Sequence, residues 1–558
     1  MKKITLAIAM AALVLFAGCK KDKETTGTTI KASIEQCKGD GSKTSIVPVG
    51  GEAEIRWTAG DKIVVNNGSK NGTFTLTNGQ GTKNGIFTYN GEYTFGSNNI
   101  AVYPETAIIS GTTVSMTLPA TQNLSDPGSF ADDANPMWTS FADADDLEFT
   151  SLCGVLGLQL AGNNVDITAI EIVSSNATDK LNGAFVADVS ETNPQLTPDT
   201  ENSGTNSIML NCSTKLTTTA QPFYIVLPVN TLASGFTMKI YNGEAGLIYV
   251  RSTTANLNMA LNTVKMMDPI TVIPGALLGK FTINVSGDQV YFSKGNLQYI
   301  GSAGNGVASE GNPGAYWKFA EHQWETLGNN GQTSTAVAQD RDLFAWGSSG
   351  YNHNNKAYQP WHHRPSEYGA FYAYGGWSNA LYSSTGMADW GYNAIQNGGN
   401  TENSGWRTMK NSEYAYILST RTTSSGIRYA KASIDGYNGV ILLPDDWDAG
   451  YYTLNNYNTE NANFNTNSIS MSDWISQLEL HGAVFLPVAG QRHAANVTNA
   501  NNITINNYNS QGRYWLSETN GSGYKYQCRN HLISDQYCRL NGEDRREGLA
   551  VRLVRNVE

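Results

Sequence analysis

Between residues 45 and 268 the chain is a succession of short alternating apolar and polar runs, each broken by Gly, Asn or Pro. Glu54-Ile55-Arg56-Trp57 alternates, Asp61-Lys62-Ile63-Val64-Val65 follows a Gly turn, and residues 72–76 and 85–89 repeat the spacing. Strand–turn units of this kind, every ~8–12 residues, predict β-sandwiches rather than helices. A second set opens with Cys153-Gly154-Val155-Leu156-Gly157-Leu158-Gln159-Leu160 and continues through 167–173, 222–227 and 236–241. The spacing predicts two sandwiches, 45–162 and 163–268, meeting near Gly162. Residues 269–275 read as a linker, because Pro269 and Pro274 interrupt any ladder and any helix.

Beyond the linker the pattern changes, and most of the Trp and Tyr lie after residue 300. Residues 281–285, 289–293 and 295–299 predict strands, while 406–418 and 471–479 predict the two helices of this half. Met471, Trp474, Ile475 and Leu478 recur at the 3/4 spacing of an amphipathic helix. Ser470 or Ser472 is placed to cap its start. Segments 455–467 and 496–509 are Asn-rich loops. Residues 276–558 therefore read as an α+β unit with few helices, following a mainly β N-terminal half.

Composition narrows the function classes. Charged residues make up 15% of the chain and aromatics 10%, with 56 Gly. That balance excludes a disordered charged tail and a helical coiled coil. The 37 Lys and Arg against 48 Asp and Glu give a net charge of −11 with no compensating basic cluster, so nucleic acid is not an expected partner. No CxxC or Cys/His ligand spacing occurs, and a structural zinc site has no support.

At the N-terminus Lys2 and Lys3 precede a short apolar run, 6–16. A bilayer span needs roughly 20 apolar residues, so residues 1–18 read as a signal peptide. Phe16-Ala17-Gly18-Cys19 resembles a bacterial lipobox, with Phe16 standing where Leu is usual. That resemblance implies lipidation of the Cys19 thiol, which becomes the first mature residue. Lys20-Lys21-Asp22-Lys23-Glu24 resembles the charged export tether of Bacteroidetes lipoproteins, implying an outer-membrane, cell-surface location with membrane contact through the lipid at least transiently. Residues 19–44 are then the tether and a processed first strand. With Cys19 lipidated, Cys37, Cys153, Cys212, Cys528 and Cys538 form an odd set that cannot all pair.

Three phrases carry a family resemblance: Arg56-Trp57-Thr58-Ala59-Gly60-Asp61-Lys62-Ile63, Phe149-Thr150-Ser151-Leu152-Cys153-Gly154-Val155-Leu156, and Pro222-Phe223-Tyr224-Ile225-Val226-Leu227-Pro228. Together they resemble the fimbrillin-like family of Bacteroidetes, which builds type V pili from two-domain β-sandwich lipoproteins. The resemblance covers roughly the first half of the chain and implies other pilus subunits as partners, joined by donor-strand addition. In the resembled pilins, trimming after a basic residue removes the first strand. The weakly alternating segment 28–36 is the matching strand here, with Lys38 and Lys43 as candidate cleavage points.

The second half is similar to Bacteroidetes surface proteins of C-type-lectin-like fold. The marks, in that family's order, are Val290-Tyr291-Phe292-Ser293-Lys294-Gly295-Asn296-Leu297-Gln298-Tyr299, Trp406-Arg407-Thr408, Leu442-Leu443-Pro444-Asp445-Asp446-Trp447 and Phe485-Leu486-Pro487-Val488-Ala489-Gly490. Gly512-Arg513-Tyr514-Trp515-Leu516-Ser517 and Gly548-Leu549-Ala550-Val551-Arg552-Leu553-Val554-Arg555 complete them. Formylglycine-generating enzymes share this fold, as do ligand-display proteins diversified by retroelements.

Catalytic motifs are sparse. His322, His353, His362, His363, His481, His493 and His531 form no HExxH or equivalent pair, and neither a GxSxG elbow nor a P-loop is present. No catalytic residue, metal or cofactor is expected. Cys528 and Cys538, with Arg529 and His531 nearby, are the one trace of the paired cysteines of the formylglycine enzymes, since a reactive thiolate needs a base or a positive environment. The calcium-binding signature of lectins is absent from the sequence.

The stretch 524–541 is the most informative, because it mixes Leu, Ile, Tyr and Cys with Arg, His and Asp. Tyr, Cys, Arg, Asn, His, Leu, Ile, Ser and Asp are all reached from an AAC codon by replacing adenines, and retroelement-diversified proteins mutate adenines at this place. The expected ligand-binding face comprises Tyr524, Tyr526, Cys528, Arg529, Asn530, His531, Asp535, Tyr537, Arg539 and Asn541, with Trp515 and a 551–554 strand beneath it. Tyr and Arg anchor interfaces, giving large contact area at modest entropy cost. The expectation is a non-enzymatic surface adhesin, the tip subunit of a type V-like pilus, whose ligand is an unidentified protein or glycan. The competing reading is a lipid-anchored surface enzyme acting on a polymer.

Overall fold

A computed structural model describes residues 27–36, 38–39, 55–124, 131, 134–201, 203–243, 246–304, 314–334, 336–351, 358–361, 379–384, 386–494, 503–521 and 527–557. Cys19, Lys43, Tyr524, Tyr526, His353, His362 and His363 lie outside the described residues.

Thr28–Ile34 alternates as its sequence does: Ile30, Ala32 and Ile34 are buried while Lys31 is exposed. It pairs antiparallel with Asn84–Tyr89 and parallel with Leu147–Ser151. With Met137–Phe141, Asn99–Tyr103, Lys62–Asn66 and Asn71–Asn78, these strands close into a ring. Trp57 packs inside it, edge-on to Phe87 at 4.8 Å and to Phe149 at 5.6 Å between centroids, the geometry that the ring quadrupoles favour.

The mostly β character follows the predicted strand–turn spacing, but the sheets do not divide at Gly162. Gly154–Ala161, expected within the first sandwich, pairs with Gln221–Leu227, Thr263–Met266 and Ile270–Thr271 of the following segment. Thr113–Leu118 and Thr121–Asn123 likewise cross over, pairing with Gly183–Asp188 and Ser207–Leu216. One continuous apolar cluster runs from Ile30 to Val272. Strands exchanged between neighbouring sheets leave no thin point in that core, so a turn at Gly162 marks no boundary.

The expected linker is also built into the fold. Ile270–Thr271 runs parallel to Leu160 and Ala161, and the Val272 amide donates to the Ala161 carbonyl at 2.7 Å. Pro269 and Pro274 flank this short ladder instead of interrupting it, the positions where a missing N–H does least harm.

In the second half the strand Gln289–Phe292 forms where expected and joins Phe281–Thr282, Leu553–Asn556 and Trp406–Thr408 in one sheet. The helix predicted over 406–418 is shorter: Trp406–Thr408 is a strand, and helical turns occupy only Asn411–Ala415 and Tyr416–Thr420. The cause is tertiary, because the buried Asp389 carboxylate accepts from the Thr408 amide at 2.9 Å and hydroxyl at 3.0 Å, holding that backbone extended. Glu413 then accepts from the Lys410 amide at 2.9 Å, and the helix starts there.

The second predicted helix begins at its predicted cap, with Ser470 Oγ accepting from the Asp473 amide at 3.1 Å. It runs through Met471–Asp473, a wider turn Trp474–Leu478 and a tighter one Glu479–His481, ending at left-handed Gly482. Trp474 and Leu478 face inward, whereas Ile475 is exposed: the wide turn rotates it off the apolar stripe. The expected 551–554 strand is broken, into Leu549–Ala550 and Leu553–Asn556. Buried Arg552 lies in the gap, donating to Gln323 Oε1 at 3.0 Å.

Candidate functional site

Gln527–Ser534 is a central strand, paired on one side with Gln511–Thr519 and on the other with Cys538–Asp544. Trp515 sits opposite Asn530 and Asn530 opposite Asn541; one residue along, Tyr514, His531 and Leu540 form the next row. Successive rows point to opposite faces of the sheet, and both faces are covered. Trp515 and Cys528 belong to an apolar cluster with Trp346 and Trp390, while Tyr514, Ile533 and Cys538 belong to another with Tyr414 and Tyr429. Hydrogen bonds lock the aromatic anchors: Trp515 Nε1 to the Phe344 carbonyl at 2.7 Å, Trp346 Nε1 to the Leu516 carbonyl at 2.9 Å, and the Tyr514 hydroxyl to the Pro487 carbonyl at 2.7 Å.

This arrangement corrects part of the expected ligand face. Cys528, Asn530 and His531 are buried, and none of them is presented to solvent. The set looks too polar for an interior, but a strand flanked by two others and two cores buries both of its faces whatever its side chains. Of these buried polar groups, His531 has a polar neighbour and the Asn530 side chain, among the described residues, does not. His531 Nε2 lies 3.4 Å from Cys538 Sγ, and its ring packs at 4.7 Å against Tyr414, the two planes tilted by 43°. The Asn530 amide finds no hydrogen-bond partner among the described residues.

The exposed part of the ribbon is its far edge. There Asp535 and Arg539 are exposed and Tyr537 and Asn541 half-buried, while Arg529, on the central strand, is also half-buried. The Arg539 guanidinium lies 4.0 Å over the Tyr537 ring, presenting a paired cationic and aromatic surface. Asp535 accepts from the Phe464 amide at 3.2 Å, and its carbonyl accepts from Lys431 Nζ at 3.1 Å. Arg513 pairs with Glu543 at 2.8 Å beside the same edge. Sequence spacing gave no signal for Lys431 or Tyr414, which reach the ribbon from distant segments.

Electrostatics argue against nucleophilic chemistry at this place. Burial pushes the Cys528 and Cys538 thiols up to about 12, so both are protonated at neutral pH. Burial, with Lys431 adding to it, pushes His531 down to about 3, leaving the imidazole neutral. The two thiols also enter different clusters on opposite faces of the sheet, and Cys212, Cys528 and Cys538 are free and buried. Among the described residues no three His, Cys, Asp or Glu side chains converge on a point that would hold a cation.

No protein-family model and no curated protein matches the chain. Among solved structures, a fimbrial protein from Bacteroides ovatus aligns over 95% of this chain and 99% of its own, at 8% identity and a TM-score of 0.22. A Bacteroides uniformis protein named for cell adhesion aligns over 45% of this chain and 94% of its own, at 15% identity and a TM-score of 0.30. A fimbrial assembly protein from Parabacteroides distasonis aligns over 48% and 96%, at 8% identity and a TM-score of 0.19. Likenesses this weak carry no inference about fold or function.

Proposed function

We propose that the chain is a cell-surface adhesin, the tip subunit of a type V-like pilus, in which fimbrillin-like β domains carry a C-type-lectin-like ligand-binding head. The observation that carries this reading is the seat of Thr28–Ile34, zipped between Asn84–Tyr89 and Leu147–Ser151 with Ile30, Ala32 and Ile34 buried. Its removal would bare two strand edges and an apolar groove, which an alternating donor strand from another subunit would fill. The next segment, Lys38–Gly39, pairs in a different sheet, with Lys38 opposite Thr263. A cut after Lys38 or Lys43 therefore leaves the first strand held by non-covalent contacts alone.

Leu553–Asn556 lies between Gln289–Phe292 and Trp406–Thr408, so both of its edges are already paired. In this reading the export lipid on Cys19 is transient. The ligand face is the ribbon edge bearing Asp535, Tyr537, Arg539 and Asn541, together with Arg529 of the adjoining central strand, Tyr524 and Tyr526. Retroelement diversification of that stretch belongs to the same reading; a reverse-transcriptase gene and an imperfect copy of the last coding stretch in the neighbouring DNA are its signature.

N-terminal sequencing of assembled surface fibres tests the proposal. A mature terminus just beyond Lys38 or Lys43, on a subunit that immunogold labels only at fibre ends, is expected. A terminus still at lipidated Cys19 would overturn it in favour of a stand-alone lipoprotein.

A further inference from the structure

The segment joining the two halves of the molecule separates two clefts. Thr271 and Ile273 line one, of about 430 Å³, and Val272 and Pro274 line the other, of about 600 Å³, as alternation along an extended chain dictates. The wall is pinned on both sides. Val272 is bonded to Ala161, the Gly275 amide donates to the Ile248 carbonyl at 2.9 Å, and Lys294 Nζ reaches the Leu247 carbonyl at 3.2 Å.

The smaller cleft has a bare-backbone stretch in its lining. A Cβ on Gly279 would lie 2.2 Å from the Gly482 carbonyl oxygen, and one on Gly482, whose φ is +82°, would lie 2.7 Å from the Gly279 Cα. Only two glycines permit this approach. Around it stand the rings of Tyr249, Tyr291, Tyr451 and His481. Tyr451 and His481 stack at 3.6 Å with planes 4° apart, and Tyr451 remains 39% exposed. Arg251, Lys280 and Asp446 are the exposed charged residues in the lining.

We propose that this cleft binds a monoanionic sugar, a hexuronate or sialate residue of a surface glycan. The outward side of the stacked Tyr451 ring and the half-buried Tyr291 ring present apolar surface to the C–H face of a pyranose, in a pocket whose size and domain-junction position are those of ligand sites, roughly 300–1,000 Å³. Two cations and one carboxylate leave a net charge of +1, which one sugar carboxylate neutralises. The guanidinium of Arg251, which already donates to the Tyr249 hydroxyl, has further N–H groups to offer that carboxylate. Asp446 supplies an acceptor for ring hydroxyls and opposes a doubly charged phosphate. Burial holds His481 below its ordinary value, so the ring adds no charge at neutral pH. The larger cleft has Asn, Thr and Ser side chains but no aromatic ring, and lacks the stacking platform. The assignment is independent of pilus assembly and of the ribbon edge.

Isothermal titration of the purified full chain tests it, with trigalacturonate and 3′-sialyllactose against trigalacturonate methyl ester and lactose. At least one acidic sugar binds, and which one identifies the source. Its neutral counterpart binds about ten-fold or more weakly, as do Arg251→Gln and Lys280→Gln, which keep most of the side-chain bulk. Lys215→Gln, in the larger cleft, leaves this affinity unchanged, and thermal melts of the Arg251 and Lys280 variants match the parent. Absence of binding by both acidic sugars at millimolar concentration, equal binding of the neutral forms, unchanged affinity in both the Arg251 and Lys280 variants, or tighter binding of the peptide Gly-Gly-Tyr would each overturn the assignment.

Discussion

His531 Nε2 lies 3.4 Å from Cys538 Sγ across the strand pair, and both side chains are sealed from water. Because burial, then Lys431, lowers the His531 value to about 3 from 6.5, the unfolded chain takes up a proton below pH 6.5 that the native state refuses. Stability from this group is therefore lost as pH falls from 6.5 towards 3, by at most ~1.4 kcal/mol per pH unit. Asp342 has the opposite sign: burial raises it to about 6 from 3.8, so it costs stability as pH rises through that window. Urea unfolding of His531→Gln beside the parent isolates the imidazole. The parent should lose more stability than the variant between pH 7 and pH 5, and equal losses would mean that His531 is solvated.

Cys528 and Cys538 face different cores, so no bridge links them. Dithiothreitol should leave the melting temperature unchanged, and both thiols should resist alkylation until the chain unfolds. Replacing either by Ser buries a hydroxyl and should cost ~1–3 kcal/mol, while ligand attachment persists below the melting temperature. A reductant-induced drop in melting temperature would show that the pair is oxidised.

Trp515 and Arg539 should separate folding from binding. Trp515 is buried and bonded to the Phe344 carbonyl, so Trp515→Ala should cost ~3–5 kcal/mol of stability. Arg539→Ala or Tyr537→Ala should leave the melt nearly unchanged and weaken attachment to the ligand by about 2 kcal/mol or more. Binding assays run beside thermal melts check both. Early melting of the edge variants with normal folding of Trp515→Ala would reverse the inside and outside of the ribbon.

Asp445 ties the opening strands of the second half to the 421–445 hairpin. It accepts from Arg421 at 2.8 Å, from the Thr282 amide and hydroxyl, and from Gln289 at 2.8 Å. Burial alone would raise its value, but these donors, Arg421 foremost, hold it below the ordinary 3.8. Its contribution is therefore present above about pH 4 and lost as pH falls through the lowered value. Asp445→Asn leaves the Arg421 guanidinium buried without its counter-charge and should cost about 3 kcal/mol at neutral pH. Chemical denaturation at pH 7 measures it.

What the sequence by itself determined is local. The alternation of Thr28–Ile34, the strand Gln289–Phe292 and the Ser470 cap with the inward Trp474 and Leu478 depend on residues within a few positions of one another, and the backbone periods of strand and helix are enough to read them. What only the tertiary structure decided depends on distant partners. Asp389 turned the start of the predicted 406–418 helix into a strand, Leu160 and Ala161 turned the predicted linker into a ladder, and strands crossing between sheets erased the boundary at Gly162. The ribbon shows the reason most plainly: composition suggested an exposed polar face, yet Cys528, Asn530 and His531 are buried, because whether a strand faces water is set by the layers packed against it.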